Sequence, residues 1–199
     1  MFHTPHYFRF SRQLDNPDLY KEQFVRVCMD TVRVIGISGA SAKRPKAPAF
    51  VQLTPLAPRW ESLRSIVHNI LHLGVIGYPF VNPGPIGGEV IAGGGGGNAT
   101  AEPPPLELFV RWWQLATFLP QLHFTYPPSA YRDLNIAPVA RKLRSLKEDV
   151  VRPELLYFGR EAMELSRPII RPLWMLNPLD KTAQRSDFEL SLLFYVKYL

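Results

Sequence analysis

The most apolar part of the chain, residues 106–119, predicts a helix that is buried on nearly all sides. Its polar positions form one narrow stripe, because Glu107, Arg111, Gln114 and Thr117 recur at spacings of four, three and three residues. Pro120 ends this helix, since proline has no backbone N–H to donate. Residues 121–126 then alternate well enough between apolar and polar side chains to predict a short strand.

Strands and helices follow one another along the rest of the chain. Helices are predicted over 17–30, 59–73, 139–150 and 154–165, and strands over 32–37, 49–53, 75–81 and 169–174. The order strand then helix recurs about four times, which favours parallel strands joined by crossover helices. The predicted fold class is therefore α/β. About four such units amount to the C-terminal half of a (β/α)8 barrel of the TIM type.

The helix after residue 138 has one clear apolar face. That face is formed by Val139, Leu143, Leu146 and Val150. The opposite face is predicted to be polar and includes Arg141, Lys142, Arg144, Lys147 and Glu148. Pro153 is expected to break or kink the helix, which resumes at Glu154.

Composition narrows the choice of partners and compartments. The 199 residues carry a formal charge of +6, but the basic residues are scattered, so a solvated basic surface is expected rather than a nucleic-acid site. The single cysteine excludes an internal disulfide and a cysteine-based zinc site. No run of residues is long and apolar enough for a transmembrane segment, and Met1 is not followed by a signal peptide. No cofactor and no metal site are predicted.

A long connection with a run of five glycines separates two of the predicted units, over Gly84 to Pro105. The glycines lack the spacing of a phosphate-binding loop, so a flexible loop is the prediction. His68 and His72 are four residues apart, but the HExxH pattern of zinc proteases is absent, and surface or capping roles are favoured.

Three blocks of sequence resemble glycoside hydrolase family 31, and most closely its myogenesis-regulating glycosidase branch. The first is the helix above, which matches the family pattern E-L-x-x-R-W-x-Q-x-x-x-F-x-P. The second is G-Y-P-F at 77–80 with the residues that follow it, and the third is P-I-I-R-P-L-W at 168–174. The resemblance implies an α/β barrel and a retaining α-glycosidase ancestry. Such enzymes use two aspartates about 5–5.5 Å apart as nucleophile and general acid/base.

The departures from the family fall on its catalytic positions. Pro55 stands where the resemblance implies the acid/base aspartate, five residues before Trp60. Gly84 replaces a further aspartate, Thr125 aligns with a substrate-binding histidine, and His123 falls where most members have arginine. The nucleophile strand of the family would precede Met1. Because proline can neither donate nor accept a proton, no catalytic residue is assigned.

Six residues remain as candidates to line a substrate cleft: Trp60, Asn82, Arg111, Trp112, His123 and Trp174. The leading hypothesis is an inactive family 31-like protein that binds a carbohydrate or a protein as a scaffold. The alternatives are part of an active retaining α-glycosidase, or a basic module for anionic partners. A replacement catalytic pair from the loop carboxylates Glu89, Glu102, Asp133 and Asp180 is disfavoured, because loop carboxylates are usually solvated.

The ends of the chain also carry expectations. Residues 1–187 are predicted to be the barrel part and residues 188–199 a divergent tail, as in a splice form or an incomplete gene model. The resemblance implies the secretory pathway, either in the ER lumen or membrane-anchored, although no targeting signal is recognised in these residues.

Overall fold

The computed structural model describes residues 18–32, 34–38, 49–89, 102–134, 136–165 and 167–185. The tail from 188 and most of the glycine-rich connection lie outside these residues. Helices are α1 (Asp18–Thr31), α2 (Trp60–Val75), α3 (Leu106–Thr117), α4 (Ala137–Ser145), α5 (Arg152–Leu165), α6 (Leu173–Leu176) and α7 (Lys181–Arg185). Strands are β1 (Ile35–Ser38), β2 (Ala49–Gln52) and β3 (Val81–Asn82). A 3₁₀ helix covers Pro128–Leu134. None of the described helices combines the length and apolar character needed to cross a bilayer.

The three strands form one parallel sheet in the order β1-β2-β3. Ile35 is opposite Ala49, Val51 is opposite Val81, and Gln52 is opposite Asn82. Parallel neighbours need a crossover connection, which α2 supplies between β2 and β3. The α/β class and the parallel direction predicted from the alternating pattern are therefore confirmed for this part of the chain.

The fourth strand is much shorter than predicted. Residues 121–126 contribute one parallel bridge, between Phe124 and Ile86, with the Ile86 N–H donating to the His123 carbonyl oxygen at 2.7 Å. Pairing continues no further in the described part of the chain. This segment nevertheless lies beside the chain that follows β3, where the next strand of a parallel sheet would be.

The core lies between the sheet and helices α2 and α3. Val81 of β3 belongs to this core with Ile66 and Phe109 of the helices, which are fully enclosed. Val51, opposite Val81 in β2, is buried to the same extent as Val81, at 2% exposure. The rings of Phe109 and Tyr131 are 4.7 Å apart, which extends the core to the 3₁₀ helix. The Tyr131 hydroxyl donates to the Pro104 carbonyl oxygen at 2.6 Å and fixes the point where the long connection returns. Burial raises the pKa of Tyr131 to about 12.

The long C-terminal helix does not simply break at its proline. Residues Leu146–Val151 form a wider π-helical turn, and α5 continues at once with Pro153 as its second residue. A π turn holds one more residue per turn than the α-helix and relieves the clash between a proline ring and the preceding carbonyl groups. The extra residue shifts the buried face by one position. Val151 is 1% exposed, whereas Val150, predicted on the apolar face, is 38% exposed.

Two predicted strands are wrong in extent or type. The strand expected over 75–81 is reduced to Val81–Asn82, because α2 runs on to Val75 with Gly74 inside the helix. The strand expected over 169–174 is absent, and α6 begins at Leu173. Ile169 and Ile170 are buried as an apolar strand would be. However, Pro168 and Pro172 on either side of them cannot donate to a sheet.

An ionic cluster holds α5 to the segment that follows it. Glu161 accepts hydrogen bonds from Arg167 at 2.8 Å and from Arg171 at a shorter distance, and the Glu161 and Arg171 side chains are 14% and 12% exposed. The guanidinium of Arg171 also lies 5.3 Å from the Phe158 ring centre. The hydrogen bond from Arg171, together with that from Arg167, lowers the pKa of Glu161 below its ordinary value of 4.5.

Replacing Glu161 by glutamine is expected to lower the free energy of unfolding at neutral pH by about 2 kcal/mol, since charged hydrogen bonds are lost. The folded pKa of Glu161 is depressed, so its contribution is complete above 4.5 and disappears as the pH falls through the lower folded value. The difference between Glu161→Gln and the unchanged protein should therefore shrink in acid. Urea unfolding at a series of pH values measures it.

Glu148→Gln provides the matched control, because Glu148 pairs with Arg152 at 2.6 Å but both side chains are about half exposed or more. That substitution should cost only a few tenths of a kcal/mol. Equal effects of the two substitutions, or a Glu161→Gln effect that does not depend on pH, would contradict the account of the cluster.

Candidate functional site

Two amide side chains lie next to each other at the carboxyl ends of β2 and β3. Gln52 and Asn82 are the last residues of their strands and are directly opposite in the register. Their neighbours Val51 and Val81 are buried, so both amides point to the other face of the sheet. Both residues are partly exposed. Carboxyl ends of parallel strands are where α/β proteins usually bind ligands.

Each amide uses one of its groups to hold the local backbone. Asn82 Oδ1 accepts a hydrogen bond from the Gly84 N–H at 3.0 Å, and Gln52 Nε2 donates to the Leu53 carbonyl oxygen at 3.3 Å. The Asn82 Nδ2 group and the Gln52 Oε1 atom have no protein partner among the described residues. One donor group and one acceptor group are therefore left for a ligand at this edge.

The loops that follow β2 and β3 pack against each other at the same edge. The Glu89 N–H donates to the Leu56 carbonyl oxygen at 2.7 Å. Pro55 is exposed in the first loop, and Gly84 in the second loop has φ of 84°. Pro55 and Gly84, where the family resemblance implies aspartates, thus follow the ends of neighbouring strands. Neither residue can transfer a proton through its side chain.

His123 is the other predicted residue that belongs to this edge. The His123 carbonyl oxygen accepts a hydrogen bond from the N–H of Ile86, two residues beyond Gly84, and His123 is exposed. We call Gln52, Asn82, Gly84 and His123 the strand-end site. Of the six predicted residues, Asn82 ends β3 at this edge, and His123 lies in the segment that pairs with Ile86. Sequence reasoning missed Gln52, although a polar residue that closes a predicted strand before a proline-rich turn was a usable signal.

Trp60 lies in a different place. Its side chain is 50% exposed and lines a groove of about 440 Å³ with Arg64 and His68 of α2 and Leu115 of α3. That groove belongs to the helical layer, whereas the amide pair lies on the opposite face of the sheet. Trp60 is thus available to a ligand, but not as part of the strand-end site.

The remaining three predicted residues are dispersed. Trp112 is 1% exposed and packs in the core, so its ring is closed to a ligand in this conformation. Arg111 is exposed on α3 and donates to Gln114 Oε1 at 3.2 Å. Trp174 lies on α6 and is 41% exposed. The structure does not bring any of these three side chains into the strand-end site.

One carboxylate residue, Glu89, lies in the loop that follows β3 at this edge. Glu89 is partly buried, while Glu102 and Asp180 are exposed. Within the described part of the chain, no group of three or more His, Cys, Asp or Glu side chains has metal-binding geometry. The strand-end site can therefore exchange hydrogen bonds with a neutral polar ligand through its two amides.

The fold agrees with that of a solved glycosidase. The cycloalternan-degrading enzyme from Trueperella pyogenes superimposes on 79% of this chain and 24% of its own with a TM-score of 0.64, at 18% identity. That likeness shows the fold alone: a mixed helix and sheet protein with parallel strands, of the kind used by a carbohydrate-cleaving enzyme. No protein-family model matches the sequence.

Two relatives then define the family. Myogenesis-regulating glycosidase from Mus musculus is 29% identical over 188 residues, 93% of this chain and 26% of that protein. SITS-binding protein from Tetronarce californica is 34% identical over 143 residues, 71% of this chain and 19% of that protein. The chain belongs to the glycoside hydrolase family 31-like branch that these proteins represent, which confirms the resemblance recognised in its motifs. It spans about a quarter or less of the length of the relatives it matches.

Proposed function

We propose that this protein is a family 31-like member that binds carbohydrate at the strand-end site without cleaving it. The observation that carries the proposal is the chemistry of that site. Amide side chains occupy the ends of β2 and β3, while proline and glycine occupy the two positions where the family resemblance implies aspartates. Amides donate and accept hydrogen bonds but do not titrate near neutral pH, so they suit recognition and not acid/base catalysis.

Sugar hydroxyls fit what the two amides leave free. A pair of neighbouring hydroxyls can accept from Asn82 Nδ2 and donate to Gln52 Oε1, while the remaining amide atoms stay bonded to Gly84 and Leu53. His123, exposed at the next segment of the edge, could add one further polar contact. Such neutral bonds contribute about 0.5–1.5 kcal/mol each, so weak binding is expected.

The sheet supports a barrel as the setting of this site. Three parallel strands in sequence order, followed by the bridge between Ile86 and Phe124, follow the order of neighbouring barrel strands. Barrel enzymes bind their ligands at the carboxyl ends of such strands. We therefore propose that these residues form part of a (β/α)8 barrel and that the strand-end site occupies part of its ligand-binding face.

Replacing Gln52 by alanine is expected to weaken sugar binding several-fold without unfolding the protein, because the side chain makes only one long hydrogen bond of its own. The measurement is a titration with α-glucosides and α-galactosides followed by NMR of the side-chain amides. Asn82→Asp should also weaken binding, since it keeps the Oδ1 acceptor for Gly84 but removes the Nδ2 donor. The same sugars, incubated with the unchanged protein, should show no hydrolysis.

Gln114→Ala is the matched control, because Gln114 is bonded to Arg111 on the surface of α3 and should leave binding unchanged. Sugar binding that is unaffected by Gln52→Ala and Asn82→Asp would show that sugars do not bind at the strand-end site. Hydrolysis that survives purification would instead overturn the inactive assignment, whatever the binding results.

A further inference from the structure

A cavity of about 610 Å³ lies between α5, the π turn and two phenylalanine rings. Phe50 of β2 and Phe80, which directly precedes β3, form one wall, with ring centres 5.4 Å apart. The other wall comes from α5 and the π turn. The lining also includes Lys147, Leu155, Gly159, Met163 and Ile169. The cavity is therefore largely apolar, with aromatic rings on one side.

One amine lines this cavity. Lys147 Nζ donates to the carbonyl oxygens of Thr117 at 3.0 Å and Leu119 at 2.5 Å, at the end of α3 where helix carbonyls lack partners. A lysine nitrogen has three positions for hydrogens, so two hold the carbonyls and one remains. The deprotonated amine can keep both bonds and place its lone pair in the remaining position. The side chain of Lys147 also lines the cavity.

The π turn explains why a lysine is found here. The helical pattern predicts Lys147 on the polar outer face, together with Lys142 and Glu148. The extra residue of the π turn rotates the chain, so that Lys147 becomes partly buried against the end of α3. Wide turns of this kind occur often at functional sites. A capping role accounts for the two hydrogen bonds, but not for the apolar cavity that the same side chain lines.

We propose that Lys147 is a covalent attachment site for small aromatic aldehydes that enter this cavity. The amine nitrogen forms a bond to the aldehyde carbon, giving a carbinolamine. Its hydroxyl group then leaves as water as the nitrogen gives up its second proton, and an imine remains. No oxidant or reductant is needed. The ring of the aldehyde would lie against Phe50 and Phe80, where aromatic contacts stabilise it.

Burial favours a reactive amine at Lys147, whereas the neighbouring carboxylate of Glu148 disfavours it. The charged groups that face the cavity are Glu148, Arg152, Arg160 and Glu164 on the helical wall, while the walls from β2, β3 and Pro120 carry none. Glu148 is paired with Arg152 at 2.6 Å. Burial lowers the pKa of Lys147 to about 8, and Glu148 opposes this shift. The neutral amine is therefore populated near physiological pH, unlike that of a solvated lysine with a pKa of about 10.4.

The test uses 2-hydroxybenzaldehyde, trapped on the full chain with cyanoborohydride and located by peptide mass spectrometry. At pH 7.5 we expect Lys147 to be labelled roughly tenfold faster than Lys142 or Lys181, both of which are exposed. The rate at Lys147 should level off above pH 8. Lys147→Arg should keep the capping charge but lose the preferred label.

The contribution of the cavity is tested separately. Gly159 lies on the wall, and a side chain there would meet the Phe80 ring at 3.9 Å, so Gly159→Leu fills the space. We expect it to slow labelling of Lys147 at least threefold. In the unchanged protein, 2-hydroxybenzyl alcohol, which cannot form an imine, should slow labelling by competition. Equal labelling rates at Lys147 and Lys142 would overturn the proposal. So would rapid labelling of Lys147 that is slowed neither by Gly159→Leu nor by 2-hydroxybenzyl alcohol.

Discussion

Replacing Trp112 by alanine is expected to lower the free energy of unfolding by about 3–5 kcal/mol. The indole is 1% exposed and is among the largest fully enclosed side chains of the described core. Truncation would leave a cavity that α2 and α3 cannot close without moving against the sheet. Since domains of this size are stable by about 5–15 kcal/mol, the variant should be only marginally stable. Urea unfolding followed by circular dichroism measures the change.

Trp60→Ala is the matched control, because the same atoms are removed from a side chain that is half exposed. It should cost about 1 kcal/mol or less, in line with other surface changes. Similar losses from the two substitutions would mean that Trp112 is not the core residue described above. If Trp112→Ala kept normal stability but lost sugar binding, Trp112 would have to be assigned to the ligand cleft instead.

Gly88→Ala is expected to be the most damaging single-methyl change in the described loops. A Cβ atom there would lie 2.7 Å from the Leu56 carbonyl oxygen and 2.8 Å from the Pro58 nitrogen, both of them backbone atoms. The residue also has φ of 81°, where side chains other than glycine are strained. The two loops that carry Pro55 and Gly84 would have to separate. We expect a loss of about 3 kcal/mol from strain and overpacking together.

Two other glycines separate these causes. At Gly84, φ is 84° but a Cβ atom would meet only the Gln52 amide at 3.6 Å, so Gly84→Ala should cost about 1 kcal/mol from strain alone. At Gly36 the nearest atom would be the Phe50 carbonyl oxygen at 3.9 Å, and Gly36→Ala should be close to neutral. Thermal melts of the three proteins should rank in that order. A Gly88→Ala protein as stable as Gly36→Ala would contradict the close packing of the loops.

The longer helices, α1 to α5, were predictable because each has its own periodic signal. Residues 106–119 predicted α3 to within a few residues, and 17–30 and 59–73 did the same for α1 and α2. The strands were less predictable. A short apolar run has the same sequence pattern whether it forms a strand, a helix end or a buried turn. For this reason strands were predicted over 75–81 and 169–174. Which of these runs pairs is decided by neighbours that are distant in sequence.

The candidate site was predicted only in part for a related reason. Family motifs located Asn82, His123 and the two positions at Pro55 and Gly84, because those positions are tied to strands that the sequence does show. Motifs could not separate Trp112, which is enclosed, from Trp60, which is half exposed. Both are tryptophans next to polar residues on amphipathic helices. Gln52 became visible only when the register of β2 and β3 set its amide beside that of Asn82.

The sequence by itself determined the α/β class, the positions of the longer helices, the parallel direction of the strands and the family branch. These follow from local periodicity and from motifs that are contiguous in the chain. The tertiary structure alone decided the face of the helix at residues 146–151, since a π turn before Pro153 buries Val151 and brings Lys147 to the end of α3. It also decided the pairing of Gln52 with Asn82. Both depend on atoms that are far apart in the chain, so no local pattern contains them.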